Sequence, residues 1–105
     1  QDELYHGQRG PAADMHILAT AWSDPETGGT GDHEPMVWWI PHGEGKVFTT
    51  VLGHVGRGQP QETWPMRCRG FQSIVTRACE WVATGEVTLP LPDELPTAED
   101  VSLAP

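Results

Sequence analysis

Residues 37–53, Val-Trp-Trp-Ile-Pro-His-Gly-Glu-Gly-Lys-Val-Phe-Thr-Thr-Val-Leu-Gly, followed at once by His54, decide the fold of this chain of 105 residues. The runs 36–40 and 47–52 are rich in β-branched and aromatic residues, which fit a pleated, half-buried surface. Between them, the 41–46 connector carries Gly43 and Gly45, which can take positive φ, so the stretch predicts a β-hairpin. His54 falls at the predicted end of the second strand, where α/β sheets place their ligand crevices.

Upstream, Met-His-Ile-Leu-Ala-Thr-Ala-Trp at 15–22 is an apolar run of strand length. It lacks strict alternation, which predicts burial on both faces, as in a central parallel strand. Residues 23–34, with Pro25, Gly28, Gly29 and Gly31 among acids, read as a solvated loop, and 1–13 as Asp2-Glu3-Leu4-Tyr5-His6 followed by a glycine and proline loop.

Downstream of His54, 55–60 reads as loop because glycine and proline continue a strand poorly. Phe71, Ile74, Val75, Ala78, Cys79 and Val82 recur at helical spacing and predict one main helix near 65–84, with Gly85 as its left-handed stop. Residues 87–89 form a short extended piece. The prolines and acids of 91–105 predict a poorly ordered tail. A strand, a hairpin and one helix make an α/β arrangement in which one sheet face stays uncovered.

Composition narrows the function. Hydrophobic residues at 37% and charged residues at 20%, with 12 Gly and 10 Pro, confine the core to a few segments. A formal charge of −9 repels phosphate backbones and anionic lipid, which argues against nucleic acid and membrane surfaces as partners. No run approaches the ~20 apolar residues of a membrane span, and no secretory signal opens the chain. Gln1 at the start implies processing, trimming or truncation. Cys68 and Cys79 would stand ~16 Å apart on one helix at ~1.5 Å rise per residue, beyond a disulfide's reach, so both are expected to be reduced and structural.

Four blocks, Asp-Glu-Leu-Tyr at 2–5, Pro-Met-Val-Trp-Trp at 35–39, the glycine-flanked strand ending in Leu-Gly-His at 43–54, and Glu-Trp-Val-Ala-Thr-Gly at 80–85, occur in the order found in the ThuA-like (trehalose utilisation) domain, which this chain resembles. The resemblance implies part of a three-layer α/β sandwich, flavodoxin-like and of the class I glutamine amidotransferase-like group. Residues 1–90 would be the C-terminal half of that domain, and 91–105 a Pro- and acid-rich tail. Thr49 stands where the family often has Tyr, and Val55 where an Asp is common.

The resemblance also points to sugars. In the amidotransferase-like group a catalytic His occupies a comparable strand end, with its nucleophilic Cys in the half not represented here. His54 is therefore the candidate acid/base residue, its imidazole suited to proton transfer near neutral pH. Glu3 is its carboxylate partner, acting as base or hydroxyl acceptor. Asp2, Tyr5 and His6 are expected to line the same pocket.

Trp38 and Trp39 face opposite sides of a strand, so one, taken as Trp39, can stack on a sugar. Trp22, Trp64 and Trp81 are read as packing, and His16, His33 and His42 as structural or solvated. Zinc or manganese on His6, His54 and Glu3 is chemically conceivable, but no spacing demands a metal. No P-loop, dinucleotide fingerprint or Gly-x-Ser-x-Gly elbow is present, so no cofactor is specified.

The expected function is carbohydrate metabolism on trehalose, a glycoside or a keto-sugar, with a small-molecule sugar as partner. The alternative is a non-catalytic carbohydrate-binding or protein-interaction module that forms a homo-oligomer or needs its missing N-terminal half, because an uncovered apolar face recruits a partner.

Overall fold

The computed structural model describes residues 2–10, 12–56 and 63–105. It separates into two units, Glu3–Val51 and Asp2 with Leu52–Pro105. The expected 55–60 loop lies outside the described residues from position 57 onward.

Glu3–Val51 is built on a three-stranded antiparallel sheet in the order β1 (His16–Trp22), β2 (His33–His42), β3 (Gly45–Thr50). The predicted hairpin is β2–β3, paired from Val37↔Thr50 to His42↔Gly45. Its connection is shorter than the 41–46 segment expected. Gly43 and Glu44 alone turn the chain, with Gly43 at φ 59, the position where a type II′ turn demands glycine.

β2 is the central strand. Met36 and Val37 point to opposite faces, and both are buried, at 4% and 3% exposure. The 15–22 run is therefore not a central parallel strand. It pairs antiparallel with β2 from His16↔Trp39 to Trp22↔His33 and lies at the sheet edge, with Ile17 and Leu18 exposed. The reason is the length of the connection: a parallel partner needs a crossover of a dozen or more residues, usually helical, whereas 23–32 is a compact turn. Irregular register around Ala19 bulges β1, and Pro35 pairs with Thr20 beside that bulge, where a missing N–H is tolerated.

The 23–32 connection is ordered by its own hydrogen bonds. Asp24 caps a 3-10 turn, Pro25–Thr27, by accepting the Glu26 N–H at 2.9 Å, and Gly28 ends the turn at φ 88. The buried Ser23 accepts the Thr30 N–H on its hydroxyl at 3.0 Å. A Cβ on Gly29 would collide with Ser23, so only glycine fits there.

In the other unit the single predicted helix is broken in two, α1 (Trp64–Arg67) and α2 (Arg69–Thr84). Cys68 between them is extended, at ψ 122, and forms an antiparallel bridge with Leu103. Arg69 donates its N–H to Ser102 O at 2.9 Å, and Ala104 donates to Arg67 O at 2.7 Å. The Arg67 guanidinium also donates to Ala104 O from Nε at 3.1 Å and Nη2 at 2.8 Å. The segment expected to be a loose tail is thus tied down at 102–104, and that pairing is what interrupts the helix.

α2 keeps the predicted stop: Gly85, at φ 83, donates to Trp81 O. Its apolar stripe is covered unevenly, with Ala78 buried while Cys79 and Val82 are exposed. Beyond the stop the chain folds back. Glu80 accepts the Thr88 and Leu89 N–H groups at 2.9 and 3.0 Å and the Thr88 hydroxyl, and Arg77 donates to Leu89 O. No helix among the described residues is long and apolar enough to cross a membrane.

Candidate functional site

The segment Leu52-Gly53-His54 is fixed from two sides. Gly53 has φ 95, and a Cβ there would run into the Phe71 ring on α2. From the other side the Asp2 carboxylate receives two backbone N–H groups, Gly53 on Oδ2 at 2.7 Å and His54 on Oδ1 at 3.2 Å. A left-handed glycine pressed on an aromatic ring, with adjacent amides held by one carboxylate, sets the backbone from which the half-buried His54 side chain projects.

Asp2, expected to bind substrate, therefore spends both oxygens on the main chain at His54. It also lines an apolar cavity of about 290 Å³, with Leu52, Trp64, Cys68, Phe71 and Ile74 among the other walls. His54 is not among the residues lining this cavity. Both cysteines are free; Cys68 is half-buried and Cys79 exposed.

The remaining predicted site residues belong to the other unit. Tyr5 donates its hydroxyl to Glu3 Oε2 at 3.1 Å, which pairs two of them. His6 is placed differently, in a recess of about 250 Å³ with Leu4, Trp22, Ser23 and Asp24. Trp39 is half-buried and stacks on His16, its register partner, with ring centroids 4.1 Å apart and planes 5° from parallel. One face of that indole is thus already occupied by an imidazole. Among the described residues, no group of three or more His, Cys, Asp or Glu side chains is placed to hold a metal ion.

Sequence reasoning missed two of these placements. Trp22, read as packing, is 52% exposed, tilted against His33 with centroids 5.3 Å apart, and lines the His6 recess. Asp24, passed over as one acid in a solvated loop, lines it too. The Ser-Asp-Pro step after the β1 run is a helix-start signature that would have fixed Asp24 as a cap beside Trp22.

Comparison with known proteins adds one likeness. A solved protein of Parabacteroides merdae, described as ThuA-like, is 43% identical to this chain and matches it with a TM-score of 0.87. The match covers 98% of this chain and 37% of the other, so the chain spans just over a third of the length of the protein it resembles. No protein-family model matches the chain, and no curated protein does.

Proposed function

We propose that this chain is the C-terminal half of a ThuA-like domain that acts on a sugar, with His54 as acid/base residue and Glu3 as its carboxylate partner. The observation that carries the reading is the 43% identity, spread over 98% of the chain, to a protein described as ThuA-like. On this reading the complete domain is a three-layer α/β sandwich of the class I glutamine amidotransferase-like group. The exposed apolar residues of β1 support it, since Ile17 at 50% and Leu18 at 59% exposure are suited to burial against a further layer.

Asp2 is a positioning residue that holds the His54 backbone, while His54 moves the proton. Glu3, whose carboxylate receives the Tyr5 hydroxyl, is the acceptor for a sugar hydroxyl, and Tyr5, His6 and Trp39 complete the sugar contacts. The substrate is a keto-sugar, a glycoside or a disaccharide such as trehalose. The experiment is a turnover screen of the complete protein against keto-sugars and disaccharides. Conversion of one of them is expected, and binding without any conversion would defeat the enzymatic reading.

The exposed β1 edge also favours a second reading, a non-catalytic module that associates through that edge. Solution mass tests the second reading for this chain: a dimer favours the module, and a well-folded monomer counts against self-association.

A further inference from the structure

We infer that the recess formed by Trp22, Asp24 and His6 is a binding subsite for a single neutral sugar ring, sharing only His6 with the residues assigned to the His54 site. The recess holds about 250 Å³, below the roughly 300–1,000 Å³ of pockets that enclose drug-sized ligands, which suits one ring rather than a disaccharide. It combines an aromatic wall with polar groups that have capacity to spare.

Trp22 is 52% exposed, and its indole forms one wall of the recess. An exposed indole in a polar recess offers a flat apolar surface to the C–H face of a pyranose. The hydroxyls around the ring's rim then need donors and acceptors. Asp24 Oδ1 is taken by the Glu26 N–H at 2.9 Å, while Oδ2 has no partner among the described residues. The His6 ring likewise has none among them. A carboxylate oxygen accepts a sugar hydroxyl, and a neutral imidazole both donates and accepts.

The floor of the recess is rigid enough to keep this geometry. Ser23 is buried, Gly31 donates to Ser23 O at 2.8 Å, and Gly29 donates to Asp24 O at 2.8 Å. Asp24 is thus anchored by its backbone and by one carboxylate oxygen, with the other oxygen left over. The aromatic wall and the carboxylate lie at opposite ends of one short stretch, 22–24, so the β1 terminus sets their spacing.

The ligand's charge follows from the walls. Asp24 and the chain's net charge of −9 disfavour an anionic sugar phosphate. A quaternary ammonium ligand calls for an aromatic cage, and this recess has one indole. A neutral polyhydroxy ring remains, and the choice of a sugar among such rings rests on the carbohydrate reading above.

The test is a titration of this chain with methyl α-glucopyranoside, followed by the Trp22 indole N–H signal in nitrogen-15 NMR, with choline and glucose 6-phosphate in parallel. The Trp22 signal is identified by its loss in Trp22→Phe. A saturable shift with the neutral glycoside is expected. The Gly28 and Gly29 amides should still respond in Trp22→Phe and cease to respond in Trp22→Ala. Asp24→Asn, which keeps a capping oxygen, should weaken binding roughly tenfold.

No saturable shift, tighter binding of choline or the phosphate, or an undiminished response in Trp22→Ala would overturn the inference. Binding here without turnover anywhere would remove the catalytic reading of His54 and leave the subsite standing. Turnover that depends on His54, with no response at Trp22, would do the reverse.

Discussion

Asp2 holds His54 by its backbone: Oδ1 accepts the His54 N–H at 3.2 Å while Oδ2 takes the neighbouring Gly53 N–H at 2.7 Å. Hydrogen bonds to an ionised group are stronger than neutral ones, and truncating the acceptor leaves both amides to solvent. Asp2→Ala is therefore expected to destabilise the chain by about 1–2 kcal/mol, and Asp2→Asn, which keeps one acceptor oxygen, by less. Urea unfolding of the two variants checks this, with equal midpoints for wild type and Asp2→Ala as the contrary result.

Gly53 is pressed against Phe71 at a φ of 95, so a methyl group there meets both a steric and a backbone penalty. Gly53→Ala should cost about 1–3 kcal/mol. Phe71→Ala removes the steric part only, so the double variant should be more stable than the sum of the single losses implies. Strict additivity in a double-mutant cycle would show that the contact is not what restricts position 53.

Glu80 carries a pH signature. The Leu89 N–H, followed by the Thr88 hydroxyl, holds its carboxyl below the ordinary glutamate value, opposed in part by desolvation and aided by Arg77. A depressed carboxylate stabilises the fold at pH above its unfolded value, and that contribution disappears as pH falls through the folded value. Acidification below ~4.3 should thus release the 86–89 segment from α2. Glu80→Gln should lose this step, which the amide signals of Thr88 and Leu89 report; an unchanged acid titration of those signals in the variant would contradict the assignment.

The hairpin and the stop of α2 were legible because their causes are local. Aromatic and β-branched residues flank Gly43, and Gly85 alone suits a left-handed cap. The extension of β2 back to His33 was not legible, because His33 and Glu34 are polar and become strand through pairing with Trp22 and Ala21. The break at Cys68 was hidden for a similar reason, since it is imposed by Leu103, far along the chain. At the site, His54 could be placed after its strand by pattern, and only the ThuA-like resemblance suggested the role proposed for it. The grip of Asp2 on Gly53 and His54 could not be read, because no periodicity links residues so distant in sequence.

Arg67 and Ala104 give the C-terminal segment its anchor, through two guanidinium bonds and one backbone bond. Arg67→Ala should free that segment first. Hydrogen exchange of the Arg69 and Ala104 amides is expected to rise well above that of mid-α2 amides, because local opening no longer has to break the guanidinium bonds. Unchanged protection at both amides would mean that the Cys68–Leu103 bridge suffices alone.

The acid/base role proposed for His54 is tested by kcat of the complete protein and of His54→Ala on whichever sugar the turnover screen identifies. Removal of a general acid or base is expected to lower kcat by roughly 10²–10⁴-fold, with the Gly53 amide still held by Asp2 and the thermal midpoint close to wild type. Full turnover in a folded His54→Ala would exclude that role.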